Sequence, residues 1–424
     1  MKVFLMIYAF PPEITGSGHL YYELARDLTD RGHKVTVLAP LPRQRMGVLK
    51  DRILARYGRK WWLRERMDGF TVVRTKVLPV PLHLPSMKGV DHLAVAFSEW
   101  VGGLLAHDRP DVVLAYSPPL PLGLSAHYLA RRYKAPFVFN VQDIFPQYAI
   151  DAGLLKNPVL IRFFRWMESY LYDKADAIIV HSEGNREYLS RHRSVPYGKL
   201  RVVHNWADIE HIRPGPRRNE FREEFNLGDI FLVSYAGTMG WAQNLDTVIE
   251  TAALLRKQKD ILLLFVGDGP KRAELMEKSE LLNLSNVRFL PLQPKDKYIS
   301  LLQASDICLI SLNPGLTTPV VPGKLMDIMA AGRPVVGNVP LNGDAPRIVK
   351  EAKCGYCVAP DDARGLAEAI LELYKNPSLR EEFGGNGRVY AERYFSRSVC
   401  TKGFETVLEQ VARDNKRERR ERRI

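Results

Sequence analysis

The sequence predicts an α/β protein: two doubly wound, Rossmann-like domains facing each other across a ligand cleft. Short apolar runs alternate with amphipathic helical stretches along almost the whole chain. Glycine-containing loops follow several of those runs, and a Pro- and charge-rich stretch, IRPGPRRNEFREEFNL, parts the series in two. A chain of 424 residues is also too long for one typical core.

The first half opens with an apolar run, Lys2 to Ala9, which reads as a strand and not as a signal peptide. The loop PPEITGSGH, with Gly16 and Gly18, leads into a helix over Leu20 to Leu28, and RGHKVTVLAP turns into a second strand. Residues 41–66 break this rhythm, with nine Lys/Arg against two acids. Leu49, Ile53, Tyr57 and Trp61 fall four apart, so one helix is expected, flanked by Arg52, Arg56, Arg59 and Lys60 and closed by Trp61-Trp62. A basic amphipathic helix ending in Trp suits an anionic membrane surface. PVPLHLPSMKGVDHLAVAFSEWVGGLLAH follows, a Pro-rich loop and an apolar helix that either extends that surface or packs on the sheet. DVVLAYS, PFVFNVQDIFP, AIIVHS and LRVVHNWAD then read as strands with polar tips, among them Gln142-Asp143.

In the second half FLVSYAGTMG and ILLLFVGDGP are strands ending in glycine loops, at Gly237-Thr238 and at Gly267-Asp268-Gly269. TTPVVPGKLMDIMAAGRPVV is a Pro/Gly loop, a short helix over Leu325 to Ala331, and a strand. A helix start offers unpaired backbone N–H groups and the positive end of its dipole, which suits a phosphate. Lys324 adds a cation there, and Asp327 can accept from hydroxyls. Phosphate followed by hydroxyls describes a nucleotide-sugar.

Four cysteines without regular spacing suggest a reducing compartment, and Cys354 and Cys357 are read as buried thiols. The hydrophobic content of 46% is ordinary, whereas a net charge of +13 favours an anionic partner. The basic residues concentrate in 41–66 and in the tail Arg413 to Ile424, with no nucleic-acid module, so no nucleic acid is expected. No window reaches transmembrane length, and the expected place is the cytoplasm, at the inner face of the plasma membrane.

YAFPPEITGSG with RGHKVTVL, then YAGTMGWAQNLDTVIETA, FVGDGP, NVRFLPL, LMDIMAAGRPVV and GYCVAPDD occur in the order found in one family. The chain resembles the retaining family 4 glycosyltransferases of GT-B fold over nearly its whole length. VQDIFP, GTMGWAQ and PGKLMDIMAAG look like the WbuB/WcaI-like branch, which builds bacterial surface polysaccharide. The resemblance implies an acceptor domain over 1–210, a donor domain over 225–388, and a segment 389–424 crossing back to the first. It implies donor contacts from Gly16, Gly18, Gln142, Gly237, Thr238, Gln243, Gly267, Asp268, Gly269, Gly323 and Asp327. Asp143 and Lys324 would be the catalytic groups, with no metal and no cofactor besides the nucleoside-diphosphate sugar, UDP-sugar favoured. The acceptor would be a lipid-linked (polyprenyl-diphosphate) saccharide, met by residues 41–66.

The chain departs from the family pattern at Thr238 and Gln243, where many relatives carry an Arg and a Lys that clamp the diphosphate. It departs again at Pro319, where relatives carry the first of two glutamates, the second corresponding to Asp327. These losses leave a non-catalytic scaffold as an alternative. A UDP-sugar 2-epimerase would need paired carboxylates and a His, which the sequence does not supply.

Overall fold

A computed structural model describes residues 1–43, 50–80 and 88–421. The chain forms two compact units, Met1–Val203 with Thr401–Ile424, and His204–Cys400. The first unit holds β1 (Lys2–Met6), β2 (Lys34–Pro40), β3 (Trp62–Met67), β4 (Phe70–Thr75), β5 (Val112–Ser117), β6 (Phe137–Val141), β7 (Ala177–Val180) and β8 (Leu200–Val202). They form one sheet in the order β3-β4-β2-β1-β5-β6-β7-β8. Runs such as VVLAYS are continuously apolar because a parallel strand covered by helices on both faces has no solvent side. Phe4, Val113, Phe139 and Ile178 meet in its core.

Helix Gly16–Asp30 begins earlier than expected, with Thr15 capping it by accepting from the Gly18 N–H. Gly16 and Gly18 therefore lie in a first helical turn and not in a loop. A larger difference falls in residues 41–66. The helix there spans only Lys50–Tyr57, and its buried residues Ile53 and Tyr57 pack with Leu41 and Leu63. From Trp62 the chain is a strand, antiparallel to β4. The cause is local: Asp68 and Gly69 adopt φ of 43° and 87°, the left-handed pair that closes a two-residue hairpin. WLRERM alternates accordingly, half-buried every second residue. Four-residue spacing across the end of a short helix mimicked a longer one, and Leu49 itself lies outside the described residues.

The second unit holds β9 (Phe231–Ala236), β10 (Ile261–Val266), β11 (Val287–Leu290), β12 (Ile307–Ser311), β13 (Val335–Asn338) and β14 (Gly355–Val358). All pair in parallel in the order β11-β10-β9-β12-β13-β14, the doubly wound pattern that reverses between β9 and β12. The stretch read as a linker is packed onto this unit. Phe221 is buried, the Arg222 guanidinium lies 3.0 Å from Asp306, and Arg217 Nε donates to Asp306 at 2.6 Å. Three of the cysteines, Cys308, Cys354 and Cys400, are buried thiols, while Cys357 is half-buried. Burial pushes the thiols of Cys354 and Cys357 up to about 12, which keeps them protonated and inert.

Candidate active site

Open α/β sheets bind ligands beyond the carboxyl ends of their strands where the order reverses. In the second unit that place lies past β9, and three segments converge on it. Gly237 follows β9, and Gly267-Asp268-Gly269 follows β10. The helix Gly323–Ala330 starts between β12 and β13. The two strand-end loops pack backbone on backbone: Gly237 N donates to Val266 O at 2.9 Å, and Met239 N to Asp268 O at 2.9 Å. A Cβ at Gly267 would stand 2.0 Å from Gly237 O, and φ there is +146°. Only glycine allows this approach.

Lys324 sits in the first turn of its helix, one residue earlier than the expected helical run began. Its ammonium lies over the Tyr235 ring, 3.7 Å from the centroid, and 3.0 Å from where a Gly237 Cβ would be. Burial pushes the ammonium down to about 7, with no carboxylate paired to it among the described residues. A half-buried cation beside bare backbone N–H groups at a helix start is poised for an anion. One turn on, Asp327 Oδ2 accepts from the Tyr298 hydroxyl at 3.1 Å, and burial pushes its carboxyl up to about 6. The same burial, with the Asp327 charge, holds the Tyr298 phenol well above its usual range.

The remaining donor candidates are placed as follows. Asp268 is exposed and its Oδ1 accepts from Gly269 N at 2.8 Å. Thr238 is exposed, and its carbonyl accepts from the Tyr235 hydroxyl at 2.7 Å. Gln243 turns back on its own loop, its Oε1 accepting from Gly240 N at 3.2 Å. Gly323 is exposed, and a Cβ added there would meet nothing within 4 Å.

In the first unit the equivalent edge carries Asp143, just past β6. Burial pushes its carboxyl up to about 6. The Tyr116 phenol is raised by burial and by the Asp143 charge, with a hydrogen bond to Ser17 opposing the shift. Ser17 stands between Gly16 and Gly18 in the helix start, so the glycine motif and Asp143 do meet at one strand edge. Gly18 is there for packing: a Cβ would lie 2.9 Å from Ala9 O. Gly16 has nothing within 4 Å of such a position and leaves its side open. Gln142 N donates to Ser117 O at 2.9 Å.

Residues 15–206 match the description Glycosyl transferase 4-like domain, and residues 217–390 match Glycosyl transferases group 1. WcaI of Escherichia coli strain K12, named as a colanic acid biosynthesis glycosyl transferase, is 25% identical over 422 residues, covering 95% of this chain and 98% of its own. The chain is a family 4-like glycosyltransferase.

WbjE of Pseudomonas aeruginosa, named as a glycosyltransferase, is 24% identical over 315 residues, covering 73% of this chain and 76% of its own. Among solved structures, HepE of Anabaena in complex with UDP superposes with TM-score 0.72 at 16% identity, covering 97% of this chain and 100% of that one. Sucrose-phosphate synthase of Thermosynechococcus elongatus gives 0.74 at 18%, covering 97% and 98%. These likenesses give the glycosyltransferase its fold, GT-B.

Sequence reasoning missed Tyr235 and Tyr298. Tyr235 stands inside the quoted YAG motif and was legible as a ring at a strand end; Tyr298 has no local signal. One group of side chains has metal-like spacing among the described residues, His33, Glu405 and Glu409. It does not fit a metal: Glu405 is already paired with Lys402 at 2.8 Å, His33 at 2.8 Å and Arg31 at 3.6 Å. Of the residues expected to meet a membrane, Arg52, Arg56, Arg59, Lys60, Trp61 and Trp62 are all exposed. They are divided between a helix, a turn and a strand, and not arrayed on one helix. Lys76 Nζ lies 4.7 Å from the Trp61 ring centroid.

Proposed function

We propose that this glycosyltransferase moves a sugar from a nucleoside-diphosphate sugar, UDP-sugar favoured, to a lipid-linked saccharide in surface polysaccharide biosynthesis, with retention at the anomeric carbon. The observation that carries the reading is the Lys324 ammonium, half-buried beside Gly237 at the start of helix Gly323–Ala330. HepE was solved with UDP and with UDP-glucose, and WcaI is named for a polysaccharide pathway, which supports the donor and the setting.

In the step, the acceptor oxygen bonds to the anomeric carbon as the bond from that carbon to the β-phosphate oxygen breaks. The electron pair stays on the phosphate, where the helix N-terminus and Lys324 oppose the growing charge. The acceptor proton passes to the departing phosphate or to a carboxylate, and Asp143, raised to about 6, is the group we assign to positioning the acceptor hydroxyl. Asp327 receives the ribose hydroxyls. The helix dipole and Lys324 supply this stabilisation without a metal.

A thermal-shift screen against UDP, GDP, ADP and CMP, each with and without magnesium, tests the donor side. A ligand that binds the folded state raises Tm. A selective, metal-independent shift with UDP supports the reading, and no shift with any nucleotide sinks it. Transfer of label from the matching sugar nucleotide into a butanol-extractable lipid tests the acceptor side.

A further inference from the structure

We propose that three neighbouring helices of the first unit, Lys88–Leu105, Pro121–Tyr133 and Pro158–Lys174, form a docking face for an anionic lipid bilayer. The proposal builds on the lipid-linked acceptor above, and it puts the membrane contact on a different surface from residues 41–66.

The first of these helices is inverted relative to an ordinary surface helix. Val90, Leu93, Phe97 and Leu104 are 45%, 46%, 56% and 38% exposed and fall on one stripe, while its acids Asp91 and Glu99 are buried. Asp91 accepts from Tyr8 and from the Arg43 guanidinium on the inner side. Glu99 is wholly buried, its carboxyl held well above the usual range by desolvation. The helix therefore puts its acidic side chains inward and these apolar side chains toward solvent. A soluble face gains nothing from that arrangement; a lipid-facing one does.

The apolar surface continues across the next two helices. A groove of about 800 Å³ separates the first two, lined by Leu93, Phe97, Trp100, Leu124 and Tyr128, with Arg131 and Arg132 also at its wall. From Tyr128 an aromatic run passes through His127 (5.7 Å) to Tyr170 (5.9 Å), then Trp166 (5.9 Å, stacked) and Phe163 (6.0 Å). Trp166 is 57% exposed and Val159 74%. Soluble monomers rarely leave so wide an apolar patch to water. Trp and Tyr are also the side chains that settle at the headgroup level.

Charge selects the occupant. Arg131, Arg132, Arg162 and Arg165 are exposed on the second and third helices. Among the described residues of all three helices the exposed acid is Asp173, already paired with Lys174 at 2.8 Å. Basic groups interleaved with an apolar stripe match acidic headgroups over an acyl boundary. No described helix is long and apolar enough to cross a membrane, so the face lies along the surface.

The test is flotation of the full chain with vesicles of phosphatidylcholine alone and of phosphatidylcholine with phosphatidylglycerol. The expected result is binding to the acidic vesicles, weakened by salt. The triple variant Leu93→Ser, Phe97→Ser, Trp166→Ser should lose it by roughly tenfold or more. Arg131→Glu with Arg162→Glu should lose the preference for acidic lipid, and Arg52→Glu with Arg59→Glu should keep it. All the substituted side chains are exposed, so the Tm of each variant and its shift with UDP should stay at the parent value, separating this proposal from the donor reading. Failure to float overturns the proposal. So does binding that survives the triple variant, or a dimer in sedimentation that the triple variant abolishes, which would make the face a contact between copies.

Discussion

The ammonium of Lys324 lies 3.7 Å from the centroid of the Tyr235 ring, with Gly237 bare beside it. The ring face offers partial compensation for a charge that burial disfavours, and a phosphate would complete it. Replacement by an apolar chain of similar length, Lys324→Met, should leave the Tm of the unliganded protein unchanged or higher. The same variant should lose the nucleotide-induced shift and about 10²–10³ in kcat. Differential scanning fluorimetry and initial rates read both effects.

The depressed Lys324 value gives a proton signature. With the ammonium at about 7 in the empty site and a phosphate favouring the charged form, binding takes up a proton at pH 8 but not at pH 6. Affinity for the nucleotide should fall above pH 7 as Lys324 loses its proton. Titration calorimetry in two buffers of different ionisation enthalpy measures the uptake. Equal apparent enthalpies at pH 8 would contradict it.

Tyr298 donates to Asp327, which lowers a carboxyl that burial has raised to about 6. Tyr298→Phe removes the donor, so the carboxyl should rise further and the acid limb of nucleotide binding should move to higher pH. At pH 7 the affinity should drop by roughly 3- to 10-fold, the worth of one hydrogen bond.

At Gly267 a Cβ has nowhere to go, standing 2.0 Å from Gly237 O with φ at +146°. Gly267→Ala should lower Tm by several degrees, since the backbone conformation alone costs about 1–3 kcal/mol. It should also abolish nucleotide binding by parting the two loops. Gly323→Ala, with open space around its Cβ position, should leave Tm unchanged.

Asp143 is raised in the folded protein from its usual carboxylate value to about 6. The folded state thus holds the proton more tightly, and stability falls as pH climbs from about 4 to 6. Asp143→Asn should therefore raise Tm at pH 7, with the gain gone below pH 4. It should also lower kcat while leaving the UDP shift intact, which a purely structural strand-end residue would not do.

Much of this protein was legible in one dimension. The alternation of apolar runs with helices, and the glycine loops after YAG and after FVG, specified two sheets built on parallel strands because strand burial and backbone approach are local demands on residue type. Lys324 and Asp327 were found from their position at a helix start. The chain between Leu41 and Arg66 was not legible. A short helix, a turn and an edge strand were read as one helix, since apolar spacing does not say where a hairpin closes. The positive φ of Asp68 decided that.

What the sequence alone determined was the fold class, the family and the loops that gather past β9, each being carried by contiguous residues. The tertiary structure decided everything that depends on partners far apart in the chain. It set Tyr235 under Lys324, Tyr298 against Asp327, and Arg217 and Arg222 onto Asp306. It also turned Leu93 and Phe97 to solvent and Glu99 inward. Helical spacing says which side chains share a face; only packing against the sheet says which face is covered.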